Sequence, residues 1–154
     1  MGLEIERKFL IKNDDWKEKS DSGQIIKQGY LNLDVERTVR VRIINGKGVL
    51  TIKGKTVKTT RLEFEYEIPL EEAKEILKLS EKSIIEKTRY EIPDNGKIWE
   101  IDIFEGENKG LEIAEIELSN EDEEIVIPKW IGKEVSEDSR YYNSSLIKNP
   151  FKNW

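Results

Sequence analysis

The first eleven residues, Met-Gly-Leu-Glu-Ile-Glu-Arg-Lys-Phe-Leu-Ile, place Glu4, Glu6 and Lys8 on every second position. Ile5, Phe9 and Ile11 fall between them, with Arg7 the exception. Period two is the period of a β-strand, whose side chains alternate between faces. The pattern then recurs along the chain. Arg40 and Arg42 alternate with Val39, Val41 and Ile43, and Lys53 lies out of phase with Leu50 and Ile52. Glu63, Glu65 and Glu67 alternate with Leu62, Phe64, Tyr66 and Ile68. Lys87 with Arg89, Glu100 with Asp102, and Glu115 with Glu117 repeat the arrangement. Seven strands follow from these segments, and Gln24 to Leu31 supplies a candidate eighth. A chain written this way must build a sheet with one charged face and one apolar face.

Turn signals separate the strands. Asn45-Gly46-Lys47-Gly48, Pro93-Asp94-Asn95-Gly96 and the stretch from Gly106 to Gly110 each join consecutive segments, and sequential hairpins imply antiparallel pairing. Helical spacing is scarcer. It appears over 70–79, after Pro69, and as short helices in the tail from Pro128, where Trp130, Ile131, Val135, Tyr141, Leu146 and Ile147 are the apolar anchors. Residues 14–22 read as a helix or loop. No repeat or linker interrupts the 154 residues, which suit a single domain, 1–154. The fold class is mainly β (α+β). About eight antiparallel strands can close into a barrel, which removes exposed edges.

Composition narrows the chemistry. There is no histidine and no cysteine, so histidine bases, thiol nucleophiles, disulfides and zinc–thiolate sites are excluded. The net charge of −6 does not suit a nucleic-acid binder working through overall positive charge. No apolar stretch has the length of a membrane span. A soluble, cytoplasmic protein without nucleic-acid or membrane partners is the expectation, and the oligomeric state is open.

Charged residues make up 38% of the chain, well above the usual quarter. A wet face of an antiparallel sheet accounts for one charged strand. It accounts less well for strand after strand with few uncharged polar residues. The signs are also sorted: Arg40, Arg42 and Lys53 occupy one hairpin, while Glu100, Asp102, Glu115 and Glu117 occupy another. Like charges directly opposite destabilise a sheet, unless a ligand of opposite sign lies among them. Clustered acids without histidine suit a hard divalent cation such as Mg²⁺ or Mn²⁺. Clustered Arg and Lys suit phosphate. Two barrels fit the alternation. In one the charges face inward and the helices cover the apolar outside; in the other Ile5, Phe9, Val41, Ile52, Phe64, Ile101 and Ile116 form the interior.

Glu4-x-Glu6-x-Lys8 resembles the E-x-E-x-K signature of the CYTH superfamily, the triphosphate tunnel metalloenzymes. It is followed in order by Arg40-x-Arg42, Thr51-Ile-Lys53, Arg61-x-Glu63-x-Glu65, Lys87-x-Arg89, Trp99-Glu-Ile-Asp102, Ala114-Glu-Ile-Glu117 and Asp138-Ser-Arg140-Tyr-Tyr-Asn143. These motifs span nearly the whole chain. The resemblance implies an eight-stranded antiparallel barrel with its charges inside a tunnel. It implies a metal site of Glu4, Glu6, Glu115 and Glu117, which with Asp102 form the catalytic set. Lys8, Arg40, Arg42, Lys53, Lys87 and Arg89 are expected on the phosphate chain, with Lys133 and Arg140 closing the site from a helical tail. Glu63 and Glu65 are expected to position water or a second cation, or to pair with bases.

The activity implied is Mg²⁺- or Mn²⁺-dependent hydrolysis of the terminal phosphoanhydride of a triphosphate, with inorganic tripolyphosphate first among substrates. Nucleoside triphosphatase, thiamine triphosphatase and class IV adenylate cyclase are the enzymatic alternatives. A polyphosphate- or nucleotide-binding module is the non-enzymatic one.

Overall fold

The computed structural model describes residues 2–80 and 83–154. Its strands are β1 (Leu3–Ile11), β2 (Gln24–Asn32), β3 (Arg37–Ile44), β4 (Lys47–Gly54), β5 (Thr60–Ile68), β6 (Ile85–Asp94), β7 (Lys97–Phe104), β8 (Glu112–Glu117) and β9 (Ile131–Glu134). The helices are α1 (Leu70–Leu77) and α2 (Asn143–Lys148), with single 3₁₀ turns at Asp15–Lys19, Gly106–Asn108, Ser139–Tyr141 and Phe151–Asn153.

The strands hydrogen-bond in the order β5-β4-β3-β2-β6-β7-β8-β1, all antiparallel. β5 then returns to β1 through Leu3↔Leu62, Glu4↔Arg61 and Ile5↔Thr60, closing an eight-stranded barrel. The hairpin turns are set by Asn45-Gly46 and Asn95-Gly96. All four residues have positive φ, 55°, 72°, 48° and 77°, the backbone that two-residue turns require to match strand twist.

β9 corrects the all-helical reading of the tail. It continues β1's edge beyond the point where β5 diverges, pairing Phe9↔Glu134 and Ile11↔Ile131. Those unpaired backbone groups of β1 need partners, and four tail residues supply them although their apolar spacing suits a helix.

The charged residues face inward and the apolar ones outward. Outside, Phe9, Trp99 and Trp130 pack edge to face, with ring centres 5.5 and 5.7 Å apart. Trp16, from the first 3₁₀ turn, lies against Tyr90. α1 covers β2, β3 and β4, with Ala73 seated on Gly48. Leu3, Ile52, Leu62, Phe64 and Tyr66 are left exposed on the outside of β1, β4 and β5.

The expectation that both helical regions cover the outside holds for α1. The tail divides: Trp130 and Ile131 cover the outside, and the stretch from Val135 stoppers one end of the barrel. There the inward residues are apolar (Tyr30, Ile85, Phe104 and Ile113), and Val135, Tyr141, Leu146 and Ile147 pack onto them. Among the described residues no helix is long and apolar enough to cross a membrane.

Candidate active site

Strand register sorts the interior into two arcs. β7, β8, β1 and β5 bring Glu100, Asp102, Glu115, Glu117, Glu4, Glu6, Glu63 and Glu65 side by side. β4, β3, β2 and β6 bring Lys53, Arg40, Arg42, Lys87 and Arg89 onto the facing wall, and Lys8 lies deeper on β1. The acidic arc contains directly opposed like charges, Glu100↔Glu115 and Glu6↔Glu117, an arrangement that is unfavourable by itself.

Two chambers with lining residues in common lie in this interior. One, of about 390 Å³, is lined by Glu4, Glu6, Arg40, Arg42, Lys53, Arg61, Glu63, Glu65, Arg89, Glu100, Glu115 and Glu117 together with Gln24, Ile44 and Asn143. The other, of about 40 Å³, adds Lys8, Tyr30, Thr38 and the tail residues Ser136, Tyr142 and Ser144. Glu6, Lys53, Arg61 and Asn143 line both.

Buried charges must be paired, and here the pairs are specific. Arg89 grips Asp102 through Nε at 2.8 Å and Nη2 at 2.9 Å. Lys87 Nζ donates to the same carboxylate at 2.6 Å and to Asn143 Oδ1 at 3.3 Å. Burial opposes the ionised form of Asp102, but Arg89 and Lys87 outweigh it and hold the carboxyl at about 2. Burial lowers Lys87; Asp102 opposes, Arg89 and Arg42 reinforce, and the amine comes to about 7. Burial, then Arg40 and Arg89, bring Arg42 down to about 9. Burial, then Arg40 and Arg61, bring Lys53 to about 8. Arg89 differs: burial opposes its charge, but Asp102 outweighs burial, raises it and keeps it charged. Lys87, Arg42 and Lys53 are the cations short of negative charge.

The acidic wall has the converse strain. Burial, then Glu115 and Glu4, push Glu6 up to about 8. Burial and a hydrogen bond with Glu4 push Glu63 to about 7. Glu4 resists its own burial through Glu63, Lys53 and Arg61 and lies at about 2. Glu4 with Glu63, and Glu6 with Glu115, are therefore carboxyl pairs in hydrogen-bond contact. Such pairs need a proton or a cation between them. The donor set is carboxylate oxygen throughout, which fits a hard divalent cation. Among the described residues no three acidic side chains already converge on one ligating point.

Thirteen of the fifteen residues singled out from sequence lie in this interior: Glu4, Glu6, Lys8, Arg40, Arg42, Lys53, Glu63, Glu65, Lys87, Arg89, Asp102, Glu115 and Glu117. The other two do not. Lys133 is exposed on β9. Arg140 is exposed, forked onto Asp138 and stacked 4.9 Å from the Trp154 ring. The tail reaches the interior with different groups, the Tyr141 carbonyl accepting from Lys8 Nζ at 3.3 Å and Asn143 accepting from Lys87. Asp102 is turned toward Lys87 and Arg89.

Arg61, Gln28 and Asn143 are among the interior residues that escaped the sequence reading as site residues. Arg61 lies in the Arg61-x-Glu63-x-Glu65 motif but received no role. Gln28, fully buried, accepts from Arg42 Nε at 3.1 Å, while its own Nε2 has no partner among the described residues. Its signal was phase with Gln24 and Tyr30 on β2, and an uncharged side chain does not stand out in that pattern.

The family model that describes the CYTH domain matches residues 2–148. An inorganic triphosphatase of Acetivibrio thermocellus is 52% identical over 155 aligned positions, covering 100% of this chain and 99% of the relative. An inorganic triphosphatase of Nitrosomonas europaea is 32% identical over 148 positions, covering 93% and 95%. A solved crystal structure of an inorganic triphosphatase superposes with a TM-score of 0.66 at 30% identity, covering 93% of this chain and 96% of that one.

Proposed function

This chain belongs to the CYTH domain family, and on that premise we propose that it hydrolyses the terminal phosphoanhydride of inorganic tripolyphosphate with Mg²⁺ or Mn²⁺ as cofactor. Triphosphate hydrolysis is the activity of the relatives at 52% and 32% identity. The observation that carries the reading is the pair of facing arcs. A cation-deficient acidic wall and an anion-deficient basic wall enclose one space, and a metal–polyphosphate complex supplies both missing charges.

A divalent cation held by Glu4, Glu6, Glu115 and Glu117 would neutralise phosphate charge and polarise the phosphoryl oxygens. The chain's own groups do the rest. Arg40, Arg42, Lys53, Lys8, Lys87 and Arg89 bind the phosphate oxygens and stabilise the charge that develops on the leaving group. Asp102 holds Lys87 and Arg89 in position for that contact. Glu63 and Glu65 face the same chamber and orient the attacking water, whose proton passes to a carboxylate of the acidic arc. No covalent intermediate is required, in keeping with a chain that has neither histidine nor cysteine. A module that only bound polyphosphate would gain nothing from the acidic arc.

The test is phosphate release from tripolyphosphate, ATP and thiamine triphosphate, side by side, with Mg²⁺, with Mn²⁺ and with excess chelator. Tripolyphosphate should be cleaved fastest, and chelator should abolish turnover. Full turnover after verified metal removal overturns the metal-dependent mechanism. Preference for ATP moves the protein to the nucleoside triphosphatases.

A further inference from the structure

Arg61 occupies a position that no role in phosphate binding explains. It lies on β5 directly across from Glu4 in the three-residue seam that closes the barrel. Its Nε donates to Glu4 Oε1 at 3.0 Å, and its Nη2 lies 3.6 Å from Glu6 Oε1. One guanidinium thus hydrogen-bonds one carboxylate of the proposed metal site and lies within ion-pair distance of a second. Lys53 approaches Glu4 less closely, at 3.5 Å, and divides itself with Glu63 at 3.6 Å. Arg61 also lines both chambers. A guanidinium engaging carboxylate oxygens occupies the lone pairs through which those oxygens would ligate a cation.

We propose that Arg61 is a built-in competitor of the divalent cation: it pairs with Glu4 and lies against Glu6 within the folded barrel, must give way when the cation enters, and thereby sets the metal affinity of the site. Its release frees a guanidinium that lines both chambers and is open to a phosphate chain bound there. Metal entry and the arming of an additional phosphate contact are then one event. The inference rests on the assignment of Glu4 and Glu6 to a metal site.

A structural role makes the opposite prediction. If Arg61 only pins the β1–β5 seam, removing it loosens Glu4 and weakens metal binding. The experiment is calorimetric titration of the chelator-treated full chain with Mn²⁺ alone, without phosphate, comparing wild type with Arg61→Gln. Competition requires Arg61→Gln to bind Mn²⁺ more tightly, by about tenfold or more, the effect of one lost charge-assisted hydrogen bond. Saturating Mn²⁺ should also raise the Tm of Arg61→Gln by more than it raises that of wild type. Unchanged or weaker binding overturns the proposal. Should Arg61→Gln fail to fold without metal, judged by circular dichroism, Arg61→Lys takes its place. Lysine keeps the charge but loses the planar fork, so a smaller tightening is expected, and unchanged or weaker binding again overturns the proposal. Wild type that takes up no Mn²⁺ at all refutes the metal-site assignment itself, a separate failure.

Discussion

Arg42 shows how a single residue is prepared for a ligand. Its Nε is taken by Gln28 Oε1, which fixes the plane of the guanidinium and leaves both Nη groups to the chamber that Arg42 lines. Burial beside Arg40 and Arg89 makes its charge costly until an anion arrives. Binding should therefore depend on the planar fork as well as on the charge. Arg42→Lys keeps the charge and loses the fork. With a charge-assisted hydrogen bond worth roughly 1.5–3 kcal/mol, kcat/KM for tripolyphosphate should fall by about 10–150-fold. The melting temperature should change little, because Arg42 packs no part of the apolar core. Steady-state kinetics paired with a thermal melt checks both halves. An unchanged kcat/KM removes Arg42 from the substrate contacts.

At the scale of elements, α1 shows what packing adds to pattern. Val49, Thr51 and Lys53 alternate inward along β4, which turns Gly48 outward under the helix. A Cβ added there would stand 2.5 Å from Ala73 Cβ and 3.1 Å from Ile68. Gly48→Ala should lift α1 and destabilise the fold by about 1–3 kcal/mol, the range for overpacking. KM for tripolyphosphate should hold, since the change lies outside the barrel. A melt and a KM determination decide it, and wild-type stability would show that the helix rests elsewhere.

Seven of the eight barrel strands were legible because each carries its own period-two signal, whereas β2, with its uncharged inward residues, was only a candidate. The set of residues sharing the charged face was legible too, since in-phase charges could be enumerated strand by strand. The sequence pattern left the direction of the charged face open between two barrels, and the family resemblance pointed inward. β9 was not legible: Ile131 to Glu134 is too short for alternation to outweigh the helical spacing around it. Its strand character comes from the unpaired edge of β1, a tertiary demand. The end stopper was hidden for a related reason. Ile85, Phe104 and Ile113 are inward residues without charge, and only the closed ring shows that they form a dry end for Leu146 and Ile147. Arg140 and Lys133 went astray with the tail. Both follow a motif or helical face in sequence, and neither follows the chain into the barrel.

For the molecule as a whole, a barrel that encloses its charges ties stability to pH, and Lys87 is the most deeply buried cation in it. The groups facing it are Asp102, Arg89, Arg42, Glu115, the Asn143 side-chain oxygen and the Phe104 ring at 5.3 Å. Its folded value of about 7 lies below the ordinary lysine value of 10.5. Below the folded value Lys87 is charged in both folded and unfolded chains, and folding bears the whole cost of burying that charge. Between the folded and ordinary values the unfolded chain holds a proton that the folded one lacks, so this residue's contribution to stability rises with pH. Above the ordinary value it levels off. Other interior groups titrate as well, so the contribution is read as a difference from Lys87→Met. That variant keeps a side chain of similar length, and Arg89 still holds Asp102 ionised from pH 6 to 10. Wild-type Tm minus variant Tm, measured across that range, should be smallest near pH 6 and climb above about pH 7. Saturation with tripolyphosphate should flatten the climb, because an anion beside Lys87 restores the proton and moves the titration toward the ordinary lysine range. A difference that stays level from pH 6 to 10 without ligand would show that Asp102 keeps Lys87 charged throughout. The basic wall would then carry its full charge before any phosphate arrives.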